Sequence, residues 1–160
     1  MVGPSLFPFA DYPIIAGLPA PVPPAIMQAA FSGRPAESAL RVLVVDDDMR
    51  IADTIAEVLQ LAGFDVKAAY SGESALNVAR SFQPDCLLSD VVMHGMNGVQ
   101  LAQTMQQHFP ETRIVLMSGQ AGVSNILDQA LSQGLEFELL AKPIHPRKLI
   151  DHLRQTGNGG

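Results

Sequence analysis

The chain has 160 residues, 48% of them hydrophobic, and a formal net charge of -6 at pH 7. That length supports one domain, or one domain with an attached segment. The acidic balance argues against a basic nucleic-acid face, the single Cys86 excludes an internal disulfide, and no uninterrupted apolar stretch suits membrane insertion.

Composition changes near residue 40. Eight of the 12 prolines lie before residue 36. Proline removes a backbone donor and fixes φ, so this spacing blocks helices and strands and favours extended chain. Residues 12–33 carry no charge, but the prolines oppose a membrane span, and no Lys or Arg precedes Arg34 to form the basic start of a signal peptide. Residues 1–39 therefore read as a Pro-rich disordered extension whose apolar side chains are free to dock on the domain or a partner. Met1 and Met27 both remain possible starts.

From residue 41, short apolar runs alternate with helical patterns. Strands are predicted at 41–45, 64–69, 85–89, 112–117 and 136–141. Ile51, Ile55, Val58, Leu59 and Ala62 recur at helical spacing, and Gly63 supplies a stop. Ser71 opens a second helix that ends by Pro84. Val99, Leu101, Met105 and Phe109 mark a third, ended by Pro110. Val123, Ile126, Leu127, Ala130 and Leu131 mark a fourth, ended near Gly134. Leu149, Ile150 and Leu153 mark a fifth, beginning near Pro146. The first, third and fourth strands are continuous apolar runs, as strands covered on both faces should be. This (βα)₅ pattern implies an α/β fold, a parallel sheet with right-handed crossovers. In such sheets, sites lie beyond the carboxyl ends of the strands.

The residues at those ends carry the chemistry. The first strand is followed by Asp46, Asp47 and Asp48, and the third by Asp90. The fourth is followed by Ser118 and Gly119, the fifth by Lys142 and Pro143. Clustered carboxylates repel one another and need a proton or a counter-cation, and a hard divalent ion takes oxygen ligands. Two acids, a hydroxyl and an ammonium facing one cleft suit a phosphoryl group. Asp48 reads as a helix N-cap outside this set. Met93 and Met96 read as packing, and Cys86, inside an apolar run, as a buried inert thiol.

Four stretches resemble the receiver domain of two-component response regulators. They are Val42-Leu43-Val44-Val45-Asp46-Asp47-Asp48, Leu87-Leu88-Ser89-Asp90 with the loop to Gly98, Val115-Leu116-Met117-Ser118-Gly119, and Leu140-Ala141-Lys142-Pro143-Ile144. The resemblance covers residues 40–156, leaving 157–160 as a flexible tail. It implies a flavodoxin-like three-layer sandwich with a five-stranded parallel sheet of order 2-1-3-4-5. It also implies that Asp90 is the phosphoacceptor, receiving a phosphoryl group from a phosphohistidine on a sensor histidine kinase or phosphotransfer protein. Asp46 and Asp47 would hold Mg²⁺ with Asp90 and the backbone carbonyl of Val92. Ser118 would be the switch hydroxyl and Lys142 the phosphate contact, with a cis Lys142–Pro143 bond.

The expected protein is a stand-alone cytoplasmic receiver acting through protein–protein contacts with a downstream partner. No nucleic acid and no membrane insertion are expected, and a phosphorylation-dependent homodimer is open. Its only reactions would be Mg²⁺-dependent self-phosphorylation and dephosphorylation, so it would not be an enzyme with an independent substrate.

Four positions depart from the family pattern. His94 stands where the family usually has Pro, and reads as structural or solvent-facing although close to the site. Leu139 replaces the usual Tyr or Phe, which puts the aromatic readout of switching in doubt. Val92 and Gln120 occupy positions that tune loss of the phosphoryl group, and an apolar Val92 cannot orient an attacking water. After residue 156 no output domain is expected.

Two rival classes remain. A haloacid-dehalogenase-type phosphatase would use Asp46, Asp48, Ser118 and Lys142, but leaves the Asp90 loop unexplained. A phosphorylation-independent interaction module would not need the full set of Asp46, Asp47, Asp90, Ser118 and Lys142.

Overall fold

The computed structural model describes residues 39–119 and 124–158. It divides into Met1–Ser38 and Ala39–Gly160. The extension read at residues 1–39, apart from Ala39, lies outside the described residues, as does Gln120.

Five strands alternate with five helices: β1 (Arg41–Val45), α1 (Met49–Leu61), β2 (Asp65–Ala69), α2 (Gly72–Phe82), β3 (Cys86–Asp90), α3 (Gly98–His108), β4 (Arg113–Ser118), α4 (Ser124–Ser132), β5 (Glu138–Ala141) and α5 (Pro146–Asn158). The strands form one parallel sheet in the order β2-β1-β3-β4-β5. Both order and fold class agree with the sequence reading.

Strand alternation sends successive side chains to opposite faces, and each face is covered. Val42, Val44, Cys86, Leu88, Val115 and Met117 pack against Ala52, Ala56 and Leu59 of α1 and Leu149 and Leu153 of α5. Leu43, Val45 and Leu87 face Ala75, Ala79 and Phe82 of α2 and Leu101 and Met105 of α3. Ile114 and Leu116 meet Ala102 of α3 and Leu127 and Ala130 of α4. The inner strands β1, β3 and β4 are almost wholly buried, whereas the edge strands β2 and β5 alternate with exposed positions.

The boundary shifts have local causes. Phe64 does not open β2, because its N–H donates to Leu59 O behind Gly63 (φ 101°), closing the end of α1. Residues 136 and 137 do not belong to β5. Leu135 is buried beneath α4 and Phe137 packs against the same cluster, so this stretch covers the core instead of joining the ladder. β3 and β4 each run one residue further than expected, which places Asp90 and Ser118 on strand ends rather than in loops. α5 continues through Asn158, so Gly157 and Asn158 are helical where a tail was expected. Glycine weakens a helix by only about 1 kcal/mol relative to Ala.

Cys86 is fully buried, and burial pushes its thiol up to about 12. The thiolate is the reactive form, so Cys86 should resist alkylation at pH 8 in the native state. Modification by iodoacetamide, followed by mass, should appear only as urea unfolds the domain. Rapid labelling without urea would contradict this burial.

Candidate functional site

The parity that builds the core also builds the site. Asp46 follows Val42 and Val44, and Asp90 follows Cys86 and Leu88, so both emerge on the face covered by α1 and α5. Asp46, Asp47 and Asp90 each offer a carboxylate oxygen, all within 4.8 Å of one another. β4 places Met117 opposite Asp90 and Ser118 one residue beyond, and Ser118 pairs with Ala141 next to Lys142.

Lys142 ties the acids together. Its Nζ lies 3.3 Å from Asp46 Oδ2 and 3.2 Å from Asp90 Oδ2. Its stem crosses Gly119, where an added Cβ would come within 2.9 Å of Lys142 Cβ. The Lys142 N–H donates to Ser118 O at 2.9 Å, fixing the two strand ends side by side. The Lys142–Pro143 bond is cis, as expected.

Asp46 is 1% exposed, and its Oδ1 accepts the Asp48 N–H at 2.9 Å. A buried carboxylate needs such partners, because desolvating a charge is costly. Asp48 itself caps α1, accepting the Arg50 N–H at 3.0 Å. The phosphatase scheme therefore finds its second acid engaged in helix capping.

Burial pushes the Asp90 carboxyl above its ordinary range; Lys142 pulls it down, Asp46 adds to the rise, and a Val92 backbone hydrogen bond lowers it. Asp47 is held below the usual carboxylate range, chiefly by the His94 backbone hydrogen bond. That contact was not legible in the sequence. His94 reads there as structural or solvent-facing, and its ring is indeed fully exposed, yet Nδ1 sits 2.7 Å from Asp47 Oδ2.

The loop after Asp90 is shaped by its packing. Met93 is buried in the core and Met96 packs beside it, as expected of these methionines. Asn97 caps α3 reciprocally with Gln100. Val92 is 41% exposed and lines, with Asp90, a cavity of about 600 Å³. The cavity's other walls include Ile51, Ile55 and Val58 of α1, with Lys142, Pro143 and Ile144. Leu139 is 49% exposed on the edge strand, opposite Leu116, with no aromatic ring in its place.

Residues 42–154 match the response regulator receiver domain family model. The chain belongs to the response-regulator receiver family. Receiver domains of this kind act in two-component signalling and take phosphoryl groups from histidine kinases. The DNA-binding response regulator MtrA of Mycobacterium tuberculosis is 31% identical over 114 residues, covering 71% of this chain and 49% of that protein. The response regulator protein FleR of Pseudomonas aeruginosa is 33% identical over 113 residues, covering 71% of this chain and 24% of that protein. The chain thus spans about half the length of MtrA and a quarter of FleR. Both relatives extend beyond the matched region, so the reading of a stand-alone module draws no support from them.

Among solved structures, the Vibrio cholerae chemotaxis protein CheY4 superposes with a TM-score of 0.65 at 28% identity, covering 73% of this chain and 98% of that one. A CheY-like receiver from Methanospirillum hungatei has a TM-score of 0.69 at 23% identity, covering 76% and 96%, and speaks to the fold alone. Among the described residues, no helix of this receiver is long and apolar enough to cross a membrane.

Proposed function

We propose that the receiver accepts a phosphoryl group on Asp90 from the phosphohistidine of a sensor kinase or phosphotransfer protein, and signals through protein contacts. The observation that carries this reading is the convergence of Asp46, Asp47 and Asp90 around one point, with Lys142 Nζ against two of them. Burial is the largest influence on the Asp90 carboxyl and pushes it above the ordinary range.

The all-oxygen donor set fits a small hard cation. Asp46, Asp47 and Asp90, with the Val92 carbonyl, would hold Mg²⁺. When bound, the ion supplies positive charge against the carboxylates and the transferring phosphoryl oxygens. The chain's own groups do the rest. An Asp90 oxygen attacks phosphorus as the P–N bond of the donor breaks; the imidazole leaves with that electron pair and takes a proton. Lys142 shifts from the carboxylates to a phosphoryl oxygen. Ser118 turns toward the same group and biases the face of α4, β5 and α5, where Leu131 and Leu139 are 57% and 49% exposed. The apolar α1 wall of the cavity beside Asp90 offers a surface for the approaching donor. In this reading the receiver has no independent substrate to turn over. The acidic charge favours protein over nucleic acid as the partner of this domain, even though MtrA is named as DNA-binding.

Intact-mass analysis after incubation with Mg²⁺ and acetyl phosphate should show one phosphoryl adduct. The apolar Val92 cannot orient a hydrolytic water, so the adduct should outlast minutes at neutral pH. Unmodified protein at saturating donor would count against the function. Decay within seconds would count against the role of Val92 only.

A further inference from the structure

One contact at the carboxylate cluster is not needed for phosphoryl transfer as described. Asp47 Oδ2 accepts two hydrogen bonds from a single residue: the His94 backbone N–H at 3.0 Å and the His94 ring at Nδ1, 2.7 Å away. An ionised carboxylate offers only acceptor oxygens, so Nδ1 at 2.7 Å meets Oδ2 as a donor. The ring hydrogen therefore lies on Nδ1. Burial does not force this contact, since the His94 side chain is fully exposed while Asp47 is 26% exposed. Both donors fall on the same oxygen, Oδ2. Neither of these bonds reaches Oδ1.

We propose that His94 is a specificity-determining residue of the cation site, holding Asp47 as a one-oxygen ligand and so favouring Mg²⁺ over Ca²⁺. This rests on the Mg²⁺ reading above. Mg²⁺ requires near-ideal octahedral geometry at short distances, and a carboxylate fixed through its other oxygen meets that requirement. Ca²⁺ takes more oxygens and commonly binds a carboxylate through both of them. A two-oxygen grip on Asp47 would compete with both His94 hydrogen bonds for Oδ2, a cost that falls on Ca²⁺ and not on Mg²⁺ held through Oδ1. Partners that orient metal ligands from behind commonly alter affinity about 10- to 100-fold when removed.

The substitutions separate the two bonds. His94→Ala removes the ring donor and keeps the N–H. His94→Pro removes both. His94→Asn keeps the N–H and places an amide donor near the position of Nδ1. The measurement is isothermal titration calorimetry of the whole chain with MgCl₂ and with CaCl₂, each variant first shown by urea titration to be folded. The ratio of the Ca²⁺ to the Mg²⁺ dissociation constant should fall about tenfold in His94→Pro. It should fall less in His94→Ala and stay near wild type in His94→Asn. If wild type binds Mg²⁺ and all variants keep its ratio, the assignment of His94 is overturned while the Mg²⁺ site stands. Equal weakening of both cations also overturns it, because His94 would then position without selecting. If wild type binds neither cation, the Mg²⁺ reading itself fails.

Discussion

Asp90→Asn should abolish the phosphoryl adduct formed with acetyl phosphate and Mg²⁺, while raising the thermal stability of the domain at neutral pH. The first effect follows from the proposed role: the amide nitrogen and oxygen of Asn are poor nucleophiles, and no other carboxylate shares Asp90's position on the β3 end. Asp46→Asn is the matched control. It should weaken labelling through loss of a metal-facing acid but leave Asp90 as the modified residue, located by peptide mapping. A phosphatase of the haloacid-dehalogenase type would show the reverse, losing its label with Asp46.

The stability effect has a definite sign. The Asp90 carboxyl titrates above its ordinary range in the folded domain, first because it is buried. Its favourable contribution is complete below the unfolded value, about 3.9, and is lost as pH rises through the higher folded value. At pH 7 the wild type carries an ionised, poorly solvated Asp90 beside Asp46. Asparagine carries no such charge, and Lys142 keeps Asp46 as its partner at 3.3 Å. Single stabilising substitutions commonly yield about 0.5–2 kcal/mol, often at the expense of activity. The melting temperature of Asp90→Asn should exceed wild type at pH 7, with the gap closing toward pH 4. A gap that widens on acidification would show that Asp90 is not the destabilising charge.

Gly98→Ala should cost about 3 kcal/mol, the upper end for overpacking a tight site. Gly98 is the first residue of α3 and its N–H donates to Val91 O at 2.8 Å. That bond folds the loop back on the strand end. A Cβ at residue 98 would collide with the carbonyl oxygen of Asp90 and come within 2.9 Å of its carbonyl carbon and of Val91 Cα. These are backbone atoms of the strand that presents the phosphoacceptor, and they cannot swing aside as a flexible side chain would. Urea titration should show the loss. A melting temperature lower by roughly 10 °C is expected for a domain of this size. Because relief of the clash must move the Asp90 backbone, labelling by acetyl phosphate should fall as well, even under conditions where the variant is folded. Wild-type stability together with wild-type labelling would show that the loop has room to spare.

Much of this was legible in the residues themselves. Helices were readable because apolar spacing, Ser71 and the prolines at 84 and 110 act within a few residues of the elements they bound. The inner strands were readable because burial on both faces demands unbroken apolar runs, as in Val42–Val45. The acids that end β1 and β3 followed from that reading, since parallel strands bring their carboxyl ends to one edge. The element ends at Phe64, Glu136 and Phe137 were not readable in the same way. There, a backbone donor or an apolar side chain satisfied a neighbour outside the ladder, and a local pattern carries no record of that choice.

The sequence by itself determined the alternation of strands and helices, the family, and the acids, hydroxyl and lysine to be brought together, because periodicity, turn chemistry and motif spacing are written in neighbouring residues. Only the tertiary structure decided how those groups act on one another. Lys142 reaches Asp46 across 96 positions, and His94 reaches Asp47 across 47. The upward push on Asp90 arises from burial that exists only once the sheet is assembled. Such contacts depend on strand order, register and packed loops, and electrostatic effects depend on distance and solvent access, which are properties of the folded chain.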